Sequence, residues 1–445
     1  MKKVKYFALA ILLAGSFTMT SCSDDDVAST QVNMGLNIKN TIGDNLKVET
    51  GTYTFTNVST GTETTIDYGA TLTRTATEST LATLTDGLYN VAFIGKATYT
   101  YTVTEPAING DGENVEVTKT AEASIQGSQQ NVEVKGGSVS LNLTVYVQNK
   151  DEKGDFVIAE IFAGGSYNTE TNKQYNGDQY IRIYNNSSET LYADGLVLVE
   201  SKFPTTQKFD YNPDIMDEAM AVQVVARIPG SGKEHPVLPG KSILLCDNAI
   251  NHTEALSSSL DLTGADFEWY TGGTASNPDV DNPDVPNLDM IFNYTKTVWL
   301  LSKQGNRAYA IGRIPESISA DTYIADYKYN PTYMNSGKEM TVTNSYKFPN
   351  EWIIDAVNLS PTNGYIWNVT SAALDMSYTY IGMNTTAVEN ASKAVVRKVS
   401  YTTEDGREML QDTNNSSVDF KASVRATLLP VSYTHLRAHE TLSDL

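Results

Sequence analysis

The chain is poor in the residue types that most often carry chemistry: among 445 residues there are 2 cysteines, 4 histidines and 4 tryptophans. Two cysteines permit at most one disulfide, so stability must come from burial of apolar surface rather than from covalent staples. No C-x-x-C or H-E-x-x-H spacing gathers the few thiols and imidazoles into a zinc site, and neither a G-x-S-x-G elbow nor a P-loop occurs. Basic residues are scarce as well. With 32 Lys and Arg against 53 Asp and Glu, the formal net charge is −21, which disfavours nucleic acid and anionic membranes as partners. The one conspicuous apolar run, Tyr6 to Phe17, is too short to span a bilayer.

That run follows Lys2, Lys3 and Lys5 and leads into small residues, the pattern of a secretory signal. Its end, Met19-Thr20-Ser21-Cys22, resembles the lipobox of bacterial lipoproteins. The resemblance implies a signal peptide over 1–21, acylation of Cys22 as the new N-terminus, and an anchor with a spacer over 22–30 in the outer-membrane lipid. Asp24, Asp25 and Asp26 resemble the export signal that sends lipoproteins of the Bacteroidetes group to the outer face of the outer membrane. Once Cys22 is lipidated no intrachain disulfide remains, and Cys246, in the apolar run Ser242–Cys246, is expected to be a small buried hydrophobe.

Only 19% of residues are charged, whereas Thr, Ser, Asn and Tyr abound, a composition suited to an all-β protein with β-branched and aromatic strands and Asn, Gly and Asp turns. The length allows two or three domains. Over 31–149, strands are expected at Val32–Ile38, Gly51–Val58, Thr62–Ile66, Ala70–Arg74, Leu88–Ile94, Thr98–Val103, Val115–Ile125, Gln130–Val134 and Val139–Val147, a β-sandwich pattern. Within it, Asn57-Val58-Ser59-Thr60-Gly61 and Leu84-Thr85-Asp86-Gly87-Leu88-Tyr89-Asn90-Val91 resemble the turn and corner motifs of carboxypeptidase-regulatory-like, prealbumin-type sandwiches. Such modules imply a spacer or docking unit.

The charged turn Asn149 to Gly154 marks a boundary. Beyond it, Glu160 and Ile161, then Tyr180 to Ser187 and Gly195, resemble the opening of a lamin-tail domain, an immunoglobulin-like sandwich. Gln179 and Leu196 depart from that pattern. Arg397, Asp412 to Ser416 and Asp419-Phe420 resemble its closing motif. The resemblance implies one lamin-tail-like β domain over 155–431 with long loop insertions, and the layout as a whole looks like an uncharacterised Bacteroidetes lipoprotein family. Within the insertions the spacing predicts a short helix at Asp214 to Ala226, a hairpin from Thr297–Ser302 and Arg307–Arg313, and polar loops at Asp266 to Asp289 and Ala320 to Phe348. Residues 432–445 resemble translated sequencing adapter and are expected not to belong to the fold.

Long loops on a rigid sandwich are where binding usually lives. Asp279, Asp281, Asp284 and Asp289 offer several oxygen ligands to a Ca²⁺, although a merely solvated loop fits the same residues and the EF-hand glycine and closing glutamate are absent. Trp269 and Tyr270, beside Gly272-Gly273, are the expected exposed aromatic platform, while Trp299, Trp352 and Trp367 are expected in the core. The function expected is a surface-exposed, non-enzymatic lipoprotein that binds a surface glycan or assists a TonB-dependent receptor. The alternative is a surface hydrolase acting on polysaccharide or another polymer through carboxylates that the sequence does not single out.

Overall fold

The computed structural model describes residues 28–39, 44–69, 80–106, 114–148, 154–275 and 279–430. Cys22, Asp24–Asp26, the expected strand at Ala70–Arg74, most of the 149–154 boundary and the 432–445 tail lie outside these residues. The fold is all-β, as the composition implied.

The N-terminal unit is one seven-stranded sheet folded over on itself. Its order is Glu63–Asp67, Asp44–Asn57, Gly87–Pro106, Asn114–Val134, Ser138–Gln148, Ser29–Lys39 and Thr80–Thr85. Ser29 and Thr30, expected as spacer, already pair with Thr85 and Leu84. The ladder between the fourth and fifth strands covers only Ser124–Gln126. The sheet turns there, and its two halves face each other across a core that joins Val32 and Leu143 to Tyr53 and Phe93. The turn needs Gly127, since a Cβ at this position would lie 2.1 Å from Thr144 O. Alternation along each strand supplies the core: Tyr53 and Phe55 point in, as do Tyr89, Val91 and Phe93. The Leu84 to Val91 corner has a physical cause, because Tyr89 Oη donates to Thr85 O at 2.9 Å. Two expected strand pairs prove to be single long strands, Gly87–Pro106 and Asn114–Val134. Gly95 does not break the first; it stays in register with Ile125, and a Cβ there would meet Thr50 O at 2.5 Å. The first strand runs parallel to Ser138–Gln148, from Gln31↔Ser138 to Lys39↔Tyr146.

The second unit is a sandwich of two six-stranded sheets. One runs Phe267–Glu268, Ser242–Cys246, Tyr180–Asn185, Phe156–Phe162, Lys393–Arg397, Phe420–Arg425. The other runs Asp289–Asn293, Ala219–Arg227, Leu196–Ser201, Ala308–Arg313, Ile353–Asn358, with Tyr346–Pro349 also paired to Ala219–Arg227. Ile158, Ile183 and Val395 of the first meet Leu198, Val224 and Ile311 of the second in the central core. The two sequence motifs that lie far apart in the chain meet on one strand, since Phe156–Phe162 pairs with both Tyr180–Asn185 and Lys393–Arg397. Buried Glu160 joins them: it accepts from Tyr180 Oη at 2.7 Å and Thr427 N at 2.8 Å, and pairs with Arg182 at 3.0 Å.

The insertions cover the outer face of the second sheet, where Val197, Val199, Met220 and Val222 pack against Phe203, Tyr323, Tyr346 and Trp352. This overturns the expected helix at Asp214 to Ala226. Ala219–Arg227 is a strand buried on both faces, so its apolar residues form a continuous run that periodicity cannot separate from a helix. The helix forms instead at Ala320–Asp326, where Ser319 Oγ accepts from Thr322 N. Of the expected hairpin only Ala308–Arg313 is a strand; 297–302 are irregular.

Polar contacts join the two units. Gln126 Nε2 donates to Thr413 O at 2.6 Å, Ser128 Oγ to Met376 O at 2.9 Å, and Tyr146 Oη to Asp217 Oδ1 at 3.3 Å.

Candidate functional site: an aromatic cleft

Trp269 is not an exposed platform. It follows the edge strand Phe267–Glu268, its amide donates to Cys246 O at 3.0 Å, and the ring is fully buried against Trp299 with 4.9 Å between centroids. Its indole N–H is satisfied by Trp299 O at 3.2 Å. The neighbouring Gly272-Gly273 marks the loop that follows the Trp, and the ring itself turns inward. Tyr270 is half-buried. Cys246 is fully buried, and its thiol is pushed well above its ordinary range by burial first and by Glu268 next.

The acidic loop is ordered by protein contacts. Asp279 accepts from Thr271 N at 2.6 Å and Thr271 Oγ1 at 2.8 Å, and Asp281 accepts from Asn287 Nδ2 at 2.8 Å. Asp284 is exposed, and Asp289 lies in a strand and pairs with Arg227 at 3.0 Å. The four carboxylates therefore do not converge on one point. Among the described residues, the one group of three metal-capable side chains within 4.8 Å of each other is Asp194, Glu234 and His235. Asp194 is already committed: Gly232, Glu234 and His235 amides donate to it at 3.2, 2.8 and 2.8 Å. Burial raises its carboxyl, but these donors outweigh burial and hold it below the usual range. Asp279 also lines a small polar cavity of about 70 Å³ with buried Asp247, whose carboxyl is driven well above its ordinary range by burial and then by the charge of Asp279.

A cleft with a different character opens between the 203–217 loop and two later segments. Phe203 and Tyr211 stack at 3.9 Å with 18° between planes, and Trp367 lies 6.2 Å from both. Phe209 and Tyr333 extend the cluster at 4.5 Å. The Trp367 ring is fixed from behind, where its N–H donates to Pro204 O at 3.0 Å and Gln207 O at 2.9 Å, and Lys208 Nζ stands 5.3 Å from its centroid. The loop that carries Phe203 and Tyr211 is tied down by a two-way backbone bridge between Asn212 and Thr332 and by Tyr329 Oη, which donates to Pro213 O at 2.6 Å. Burial, then the nearby Tyr333, pushes the Tyr211 phenol to about 12; burial, then Asp214, does the same for Tyr329. Both therefore stay protonated donors. The cleft encloses about 160 Å³, with Asp210 and Asp214 among its lining.

A second cavity of about 430 Å³ adjoins it and shares Lys208, Met216 and Trp367. Tyr365 there stacks on Tyr378 at 4.0 Å. Trp367 is half-buried and accessible to both cavities, not the core residue that was expected. Trp299 and Trp352 are in the core. Sequence pattern singles out Trp367, though as a core residue, and passes over Phe203, Phe209 and Tyr211. Their one local signal is three rings within residues 203–211 of the long 202–218 connection between strands.

Residues 238–427 match the model of a protein family of unknown function, DUF4876. The match covers one wall of the cleft, with Tyr329 and Trp367, and leaves the 203–217 wall outside. The chain is also similar to the 2.50 Å crystal structure of a DUF4876 family protein from Bacteroides thetaiotaomicron VPI-5482, at a TM-score of 0.51 and 22% identity over 91% of this chain and 97% of that one. This likeness bears on the fold alone. No curated protein matches.

Proposed function

We propose that this chain is a lipid-anchored, surface-facing binding module whose aromatic cleft takes a saccharide. The observation that carries the proposal is the Phe203–Tyr211–Trp367 cluster, in which half-buried Tyr211 and Trp367, set on buried Phe203, meet Lys208, Asp210 and Asp214 in the cleft. A sugar ring offers the matching chemistry, with C–H faces to lie on aromatic rings and hydroxyls to bond polar groups at the rim. The anchor part of the proposal rests on the signal-like N-terminus, Cys22 and Asp24–Asp26. On this reading the N-terminal unit is a carboxypeptidase-regulatory-like spacer, the second unit is lamin-tail-like, and the neighbouring partner is an outer-membrane receptor of the TonB-dependent type.

The test is fluorescence titration of the mature chain with a panel of plant and microbial oligosaccharides, repeated with Trp367→Ala. Saturable quenching that the variant loses supports the proposal, and no response to any sugar overturns it. Release of shortened oligosaccharide products during the titration would favour the hydrolase alternative, with Asp210 and Asp214 as the first carboxylates to replace.

A further inference from the structure

We infer that the ligand is a neutral glycan chain that crosses from the cleft onto the N-terminal unit, which makes that unit part of the binding site. This rests on the saccharide reading above and extends it to ligand length, charge and the second contact surface. The two cavities share Lys208, Met216 and Trp367 and so adjoin at the indole, around which a chain would pass from one to the other as along one groove. The farther cavity is walled on one side by Ser128, Gln129, Asn131 and Tyr146 of the N-terminal unit and on the other by Tyr365 and Trp367. Its volume of about 430 Å³ falls within the ~300–1,000 Å³ of ordinary small-molecule sites, whereas the cleft alone, about 160 Å³, does not. A single ring in the cleft would leave the larger part of the groove unused. A chain would fill both.

The groove also selects by charge. The N-terminal wall presents hydroxyls and amides without a charged side chain, and Tyr365 supplies a second ring for stacking. Lys208 at the bend is the one cation that lines either cavity, while Asp210 and Asp214 line the cleft and Asp217 sits beside Tyr146. A polyanionic glycan would face net repulsion there, which a neutral one avoids. Ser128 and Tyr146 also bond across to Met376 and Asp217, so the far wall is held against the near one.

The experiment is calorimetric titration of the mature chain with neutral hexasaccharides (cello-, manno-, xylo- and malto-series), the matching monosaccharides, and an oligouronate. At least one hexasaccharide should bind about tenfold or more tighter than its monosaccharide, as expected when a second set of contacts is added. Gln129→Ala combined with Asn131→Gly should weaken the hexasaccharide several-fold and leave the monosaccharide unchanged. Glycine is chosen because Asn131 has φ 56°. Trp367→Ala should weaken both. Equal affinity for one ring and six, an unaffected double variant, or preference for the oligouronate overturns the inference while the saccharide site stands. Absence of any sugar binding removes both.

Discussion

Asp355 and Arg397, on opposite sheets of the second unit, hold both backbone polar groups of Ile158. Asp355 Oδ2 accepts from Ile158 N at 2.7 Å, and Arg397 Nε donates to Ile158 O at 2.8 Å, while the two side chains form a buried ion pair. This happens where the pairing of Phe156–Phe162 with Tyr180–Asn185 shifts register between Arg182 and Ile183. A bulge removes ladder partners in the interior, and the ion pair restores them. Asp412 and Asp419 add further negative charge to Arg397, whose guanidinium lies over the Phe420 ring at 4.6 Å.

Arg397→Ala should therefore destabilise the chain by about 3–5 kcal/mol, because Asp355 is left buried without its counter-charge. Arg397→Lys should still cost more than about 1 kcal/mol, since it keeps a charge but loses the Nε donor to Ile158 O. Urea unfolding midpoints measure both. Two variants that unfold with the parent would show the pair to be dispensable.

Asp375 should make stability depend on pH. It is fully buried, and burial lifts its carboxyl to about 6 against the opposing donors Ser416 and Asn358. A carboxyl whose folded value is raised contributes stability that is complete below the unfolded range near ~4 and is lost as pH rises through about 6, here about 3 kcal/mol. Between pH 4 and 7 the parent should lose ground relative to Asp375→Asn, whose side chain does not titrate. Melting curves that shift in parallel for the two would contradict this.

A chain ended at Pro430 should melt with the full chain, whereas one ended at Arg425 should not. The longer cut keeps Ala426 and Leu429 in their core cluster and Thr427 on Glu160; the shorter one exposes the cluster and strips two donors from a buried carboxylate. Scanning calorimetry on the two truncations decides the matter. A fall of several degrees for the Pro430 version would mean that 431–445 pack.

Cys22→Ala should abolish lipid labelling and release the protein from the membrane. Replacing Asp24, Asp25 and Asp26 with Ala should keep the lipid but lose protease accessibility on intact cells. If the triple variant is still cleaved from outside, the acidic run is not the sorting signal.

How far the sequence could be read depended on which faces a strand buries. Strands buried on one face, such as Asp44–Asn57 with Tyr53 and Phe55, alternate and were recognisable. Ala219–Arg227, covered on both, was not. Trp269 is buried although glycines follow it, because those glycines mark the next loop while its own amide extends a sheet edge through Cys246. The cleft draws its walls from residues 203–217, 329 and 367, and nothing local in any one segment records that the other two will arrive. The carboxylates of the acidic loop looked like ligands in the sequence because hydrogen-bond partners such as Thr271 and Asn287 cannot be identified from spacing alone.

The parallel pairing of Ser29–Lys39 with Ser138–Gln148 gives the N-terminal unit two poles. The chain arrives at the Ser29 end and leaves at the Gln148 end, and the paired stretch between them, Gln31 to Lys39, is by itself about 26 Å long at ~3.3 Å per residue. An antiparallel pair would have returned it to where it began. Ser29 therefore stands at one pole of the unit, and Tyr146, on the groove, at the other.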